Sequence, residues 1–118
     1  MSGVYGAINS RDDFFATLDR TLHEAQKYYV AQPGDTAQVK ILAQLKAMKQ
    51  MTAGGRTPTE TERASIDIGL IAVREFEETN DPDLAQFAQD LGILNNYFED
   101  WPTDEQAANA TDDDFWDE

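Results

Sequence analysis

Three turn signals divide this sequence into four segments, and each segment has helical periodicity. The signals are Pro33-Gly34, Gly54-Gly55 and Asp81-Pro82. Pro and Gly interrupt regular structure, and Asp followed by Pro is typical of a helix start. Between the breaks, apolar residues recur three and four positions apart, and no segment shows the period-two alternation of a strand. We therefore predict an all-α protein, a compact antiparallel bundle of about four helices.

The helix starts are predicted from capping residues. A Ser, Thr or Asp side chain can accept the free N–H groups of the first helical turn. The predicted helices follow Ser10, Asp35 or Thr36, Thr57, and Asp81. The third helix is expected to run unbroken to Phe76. Residues 66–73 within it are apolar on most of the circumference, as in a central helix that packs on several sides.

The charges are divided unevenly along the chain. No Lys or Arg follows Arg74, so residues 1–74 hold nine bases and eight acids, whereas residues 75–118 hold fifteen acids and no base. The net charge of -14 therefore belongs entirely to the C-terminal part. A charge block of this size steers positively charged partners, so we interpret the protein as a binder.

Composition argues against several other classes of protein. With a pI near 4.1, the chain lacks the basic face that nucleic acid requires. His23 is the only histidine and there is no cysteine, so no nucleophile and base, no metal cluster and no cofactor site are expected. We predict a non-enzymatic protein. Because no apolar run is long enough to be a leader or to span a membrane, we also expect a cytoplasmic protein that does not contact membranes.

Five acidic residues form the predicted partner-binding surface, where the third helix meets the fourth. They are Glu75, Glu77, Glu78, Asp81 and Asp83. They follow the most apolar stretch of the chain, so their charge should be held on rigid structure. Two alternatives stay open: Glu75 could be a shielded carboxylate paired with Arg20 or Lys46, and Asp81 and Asp83 could serve only the start of the fourth helix.

The sequence from Glu99 onward changes in composition. Acidic residues dominate, with Trp101, Phe115 and Trp116 among them. Such a stretch buries too little apolar area to offset the entropy of ordering it. We predict two parts, a helical domain at residues 1–98 and an acidic flexible tail at 99–118. A DNA mimic or an adaptor that uses Phe115 and Trp116 as a linear motif is the alternative function that this tail leaves open.

The segment from Ile68 to Leu84 reads IGLIAVREFEETNDPDL. It resembles the central segment of small helical immunity proteins that protect type VI secreting bacteria from an NAD(P)+-cleaving toxin. In that family a Gly, a small apolar run ending in Ala-Val, a basic residue, Glu-Phe and then Thr-Asp-Pro-Glu-Leu occur in the same order. This chain has one extra residue, Asn80. A weaker likeness includes residues 18–22, so the resemblance covers about residues 12–98.

The resemblance implies a cytoplasmic inhibitor, a monomer or weak homo-oligomer when free, that covers the catalytic cleft of its cognate toxin. A toxin that binds an anionic dinucleotide needs a positively charged cleft, and an acidic protein complements it. Positive clefts also occur in alarmone or adenosine-nucleotide synthetases and in ADP-ribosyltransferases. Immunity against one of those toxins is therefore the nearest alternative.

Overall fold

The computed structural model describes residues 5–109. Over this range the chain is all-helical and contains no strand, which confirms the predicted fold class. The helices are α1 (Arg11–Ala31), α2 (Thr36–Met51), α3 (Glu60–Ala64), α4 (Ile68–Phe76) and α5 (Pro82–Asp100), with a 3-10 turn at Ala53–Gly55 and a further helical turn at 104–109. No helix within residues 5–109 has the length and apolar character that a membrane crossing needs.

Three of the four predicted helix starts are confirmed by their capping hydrogen bonds. The Ser10 and Asp35 side chains each accept the N–H three residues further on, at 3.2 and 3.1 Å. Asp81 accepts the N–H two residues further on, at 2.9 Å, and Pro82 opens α5 behind it. These caps satisfy backbone donors that the first turn leaves free.

The predicted start of the third helix is wrong by two residues. Thr59, and not Thr57, is the cap: its hydroxyl accepts the N–H of Glu62 at 3.1 Å, and the Glu62 carboxylate accepts the N–H of Thr59 at 2.9 Å. The sequence offers two overlapping Thr-x-x-Glu patterns, and both suit a capping box. Pro58 packs into the protein before the helix begins, and the second pattern, which follows it, is the one that forms the cap.

The predicted single third helix is also wrong, because residues 65–67 separate α3 from α4. Ile66 and Ile68 are both buried, and residues two apart point to nearly opposite sides of a continuous helix. The break lets both face the core. Ser65 closes α3 by donating its hydroxyl to the carbonyl of Glu62, and the Gln44 side chain of α2 both accepts the N–H of Asp67 and donates to its carboxylate, at 2.8 and 2.6 Å.

The four long helices enclose one core. α1 contacts α2 and α5, and α4 likewise contacts α2 and α5, whereas the short α3 packs on α5. Tyr97, Phe14, Phe87 and Phe98 are the largest fully buried side chains. The remaining buried apolar residues include Ile8, Leu18, Ala25, Ile41, Leu45, Met48, Ile68, Leu91 and Leu94.

The N-terminal residues that precede α1 pack against the C-terminal end of α5. The Tyr5 hydroxyl donates to the Asp100 carboxylate at 2.7 Å, and its ring meets the Tyr97 ring edge-on. Gly6 turns the chain with a φ of 56°, and a Cβ at this position would collide with the end of the Ile93 side chain. The left-handed backbone favours glycine here, and any other residue would also require Ile93 to move.

Residues 99–109, which the sequence analysis assigned to a flexible tail, contact the start of α1. Arg11 holds this part: its backbone N–H donates to Asp104 at 2.7 Å, its guanidinium donates to the Tyr97 hydroxyl and to the Pro102 carbonyl, and it lies 4.0 Å above the Trp101 ring. One charged side chain thereby ties the start of α1 to the chain beyond α5.

The helical turn at 104–109 has its own cap. The Thr103 hydroxyl accepts the N–H of Gln106 at 3.1 Å, while the Gln106 side chain accepts the N–H of Thr103 at 2.9 Å. Ala107 is fully buried. The sequence contains the capping pattern Thr-x-x-Gln, but the acidic residues around it indicated a tail rather than a helix. Phe115 and Trp116 lie outside the described residues.

Two chains truncated at different points will measure what residues 103–109 contribute. A chain that ends at Pro102 loses the Asp104 hydrogen bond and the buried Ala107. We therefore expect its free energy of unfolding to be about 2 kcal/mol lower than that of a chain that ends at Asn109. Urea denaturation of both proteins measures the difference. Equal stabilities would mean that this segment is not docked in solution.

Tyr5 makes the stability of the protein sensitive to alkaline pH. Burial, together with the hydrogen bond to Asp100 and the repulsion from its charge, raises the pKa of Tyr5 to about 12. In the unfolded chain a tyrosine ionises near pH 10. The contribution of Tyr5 is therefore complete below about pH 10 and is lost as the pH rises from about 10 to 12.

We expect Tyr5→Phe to lower the free energy of unfolding by about 1 kcal/mol at pH 8, because the hydrogen bond to Asp100 is lost. Between pH 10 and about 12 its stability should fall less steeply than that of the wild type. Urea midpoints of both proteins at pH 8, 10 and 11.5 give this comparison. If the stabilities of the two proteins fell equally between pH 10 and 11.5, the Tyr5 phenol would not be buried in solution.

Candidate functional site

An acidic hollow lies where α4 ends. It is an open space of about 500 Å³, lined by Arg74, Glu75, Glu77, Glu78 and Thr79. All three glutamates are exposed. Glu77 is the C-cap residue of α4 and keeps helical backbone angles, so its position is set by the helix. The hollow thus presents three carboxylates and one guanidinium to the solvent.

The position of these carboxylates opposes helix stability. The C-terminal end of a helix carries a partial negative charge, and acids placed there are unfavourable by up to about 1 kcal/mol each. Glu75, Glu77 and Glu78 stand at that end of α4, and Arg74 is the only base in its last turn. A cation placed in the hollow would therefore be attracted by both the carboxylates and the helix end.

Asp81 and Asp83 stand beside the acidic hollow rather than in it. The Asp81 carboxylate caps α5 by accepting the N–H of Asp83 at 2.9 Å, and its own N–H donates to the Thr79 hydroxyl at 3.2 Å. Both carboxylates also act on Tyr28 in α1. Burial and the nearby Glu24 raise the pKa of Tyr28 to about 12, and Asp83 and Asp81 add smaller effects in the same direction.

The structure therefore brings together three of the five predicted residues and places the other two at the rim, where they serve α5. The alternative of a shielded Glu75 is wrong: Glu75 is exposed, and no ion pair within residues 5–109 includes it. Arg20 instead pairs with Asp90 at 3.2 Å. Asp90 is buried between α1 and α5 and also accepts the side-chain amide of Gln86.

An apolar groove between α4 and α5 continues from the acidic hollow and was not predicted. Its volume is about 420 Å³. Its walls are formed mainly by Gly69, Val73 and Phe76 from α4 and by Ala85, Ala88 and Gly92 from α5. Ala85, Ala88 and Gly92 are three and four positions apart, so a face of small residues on the fourth helix was the available sequence signal.

The two glycines of the α4–α5 groove differ in their surroundings. A Cβ on Gly69 would lie 3.2 Å from the Asn95 side chain, which accepts the Gly69 N–H at 2.8 Å. A Cβ on Gly92 would meet nothing within 4 Å. Glycine inside a helix costs about 1 kcal/mol relative to alanine. Packing within the described residues accounts for Gly69 but does not account for Gly92.

Within residues 5–109, no three His, Asp or Glu side chains are grouped closely enough to hold a metal ion. His23 is exposed on α1 beside Gln26, Lys27 and Val30. A separate open space of about 400 Å³ lies between α1, the end of α2 and the 3-10 turn, away from the five predicted acidic residues.

Most of this chain matches one known protein family. The sequence model of the Tsi6 family matches residues 14–99, which run from the first turn of α1 to the last turn of α5 and include all five predicted acidic residues. The match leaves out the helical turn at 104–109. No curated protein and no solved structure gives a significant match.

The matched range covers most of the chain. It includes the segment from Ile68 to Leu84, on which the resemblance to this kind of immunity protein is based. The chain belongs to the Tsi6 family, the type VI secretion immunity family for NAD(P)+ glycohydrolase toxins.

Proposed function

We propose that this protein binds the catalytic domain of an NAD(P)+ glycohydrolase toxin and occludes its active site, and that Glu75, Glu77, Glu78, Asp81 and Asp83 form the contact surface. One observation carries the proposal. Three exposed carboxylates stand at the C-terminal end of α4, where the helix dipole and their mutual repulsion disfavour them. A positively charged partner removes this disadvantage on binding.

The expected target has the matching charge. An enzyme that binds an anionic dinucleotide needs a cleft of positive potential, and the acidic hollow would present carboxylates to the groups that otherwise hold phosphates. The end of α4 fixes the backbone of Glu75 and Glu77, which favours this mode of recognition because little backbone ordering remains to be completed on binding. The net charge of -14 adds long-range attraction, which accelerates association.

Inhibition by occupancy requires no reaction by the protein itself. We therefore place it with the non-enzymatic inhibitors, and we place it in the cytoplasm, where NAD(P)+ is available for the toxin to cleave. The other nucleotide-directed toxins would offer a similar positive cleft. Family membership favours the NAD(P)+ glycohydrolase over them.

Reversing the charge of Glu77 and Glu78 tests the contact surface. We expect the Glu77→Lys/Glu78→Lys protein to keep its melting temperature, because exposed charges contribute little to stability. Its affinity for the toxin domain should fall by about 3 kcal/mol, since like charges would then meet in the interface. Calorimetry with the cognate toxin domain provides the dissociation constants.

A matched control separates contact from net charge. Glu99→Lys/Glu105→Lys makes the same change in net charge with two exposed residues, one at the C-terminal end of α5 and one in the helical turn at 104–109. This control should change the association rate but leave the dissociation rate unchanged, as expected for steering alone. If both double variants weakened binding equally, the contact surface proposed here would be refuted.

Occlusion of the active site predicts competition with the dinucleotide. The concentration of this protein that halves toxin activity should rise in proportion to the NAD(P)+ concentration once the latter exceeds KM, because both would occupy one site. Initial rates of dinucleotide cleavage at several concentrations of substrate and inhibitor provide the measurement. Inhibition that is independent of substrate concentration would contradict occlusion and indicate a distant binding site.

A further inference from the structure

We propose that the α4–α5 groove receives an apolar side chain of the toxin, and that a Lys or Arg next to this side chain enters the acidic hollow. A single toxin segment would thus occupy both spaces. This inference rests on the proposed function, because it names the part of the toxin that the same surface recognises.

The groove and the acidic hollow form one continuous surface. Glu77 and Thr79 line both of them, so the two spaces meet at these residues. Side chains of adjacent residues in an extended or turning segment can reach both spaces at once. The groove has about 420 Å³ of space, which is ample for one large apolar side chain.

Apolar side chains of α4 at and next to the groove are exposed to solvent. Val73, which lines the groove, keeps 55% of its surface exposed, and Leu70, one turn earlier on α4, keeps 51%. These are two of the four large apolar residues that are exposed among the described residues. Apolar surface next to a groove is typical of an interaction site.

Gly92 supplies a separate reason to expect an occupant. The position has room for a side chain, and any side chain other than proline would favour the helix more than glycine does. No described residue contacts the position where that side chain would begin. A partner that approaches the backbone of α5 closely accounts for the absent side chain, since glycine permits close approach.

The negative charge beside the groove favours a basic partner over a second copy of this protein. A second copy of this protein would bring its own carboxylates toward the acidic hollow, and each copy carries a net charge of -14. Like charges brought together in an interface oppose association. A basic segment of a toxin with a positive cleft gains both the charge attraction and the apolar burial, so we assign the groove to the toxin.

The decisive experiment fills the groove without changing any charge. Gly92→Leu places an apolar side chain in the open space, and Ala88→Leu fills the same groove from the preceding turn of α5. The matched control is Ala43→Leu, which adds the same side chain to an exposed position of α2 away from the groove. Melting curves confirm that each variant is folded, and calorimetry with the cognate toxin domain gives its Kd.

We expect Gly92→Leu to melt at or above the wild-type temperature and to raise Kd at least about tenfold, because the groove is then occupied by the protein itself. Ala43→Leu should stay within about twofold of the wild type, as a peripheral substitution does. Wild-type affinity in both groove variants would overturn the inference and leave the proposed function intact. A wild-type protein that did not bind the toxin would overturn both.

A double-mutant cycle tests whether one segment fills both spaces. Gly92→Leu and Glu77→Lys should together raise Kd by less than the product of their separate effects, because either change displaces the same segment. Fully multiplicative effects would mean that separate toxin elements occupy the two spaces, which contradicts the inference. Self-association of the wild type that Gly92→Leu abolishes, measured by sedimentation, would make a second copy the occupant and contradict it as well.

Discussion

The aromatic cluster around Tyr97 is the interaction on which the rest of this structure depends. The Phe14 ring stacks on Tyr97 at 4.9 Å, and Trp101 meets both rings edge-on. Aromatic pairs of this kind add about 1 kcal/mol each beyond the area that they bury. Because Arg11 covers the cluster and bonds to the Tyr97 hydroxyl, the start of α1, the end of α5 and the chain beyond it are fixed at one point.

The sequence predicted the helices better than it predicted their ends and partners. Ser10 and Asp81 were identified as caps, and Asp35 as one of two candidates, because their effect is local and depends on the next few residues. The break at Asp67 could not be found in this way, since it depends on Gln44 from another helix and on the burial of both Ile66 and Ile68. The contacts of residues 101–109 were not predicted for the same reason, because the partner that holds them is Arg11, about ninety positions away.

The candidate site was predicted in part. Acidic residues just after an apolar helix were visible as a pattern, and α4 brings Glu75, Glu77 and Glu78 together as expected. The α4–α5 groove was not predicted, because the spacing of small residues on α5 is visible in the sequence but the empty space beside them is not. As a sequence feature Gly92 indicates only a weakened helix, and its further meaning depends on that empty space in the fold.

The contacts of Tyr5 with Asp100 and of Arg11 with Asp104 join residues that are 95 and 93 positions apart. Closing so long a loop is entropically costly, so residues 5–9 and 103–109, which lie outside the cluster of Phe14, Tyr97 and Trp101, should dock late in folding and be among the first parts to open in the native state. The α4–α5 pair is joined by a short connection and needs no such closure. Since α5 is about 28 Å long, opening beyond its C-terminal end leaves the acidic end in place. Amide hydrogens of residues 103–109 can therefore exchange quickly in a molecule that still presents an intact surface to its partner.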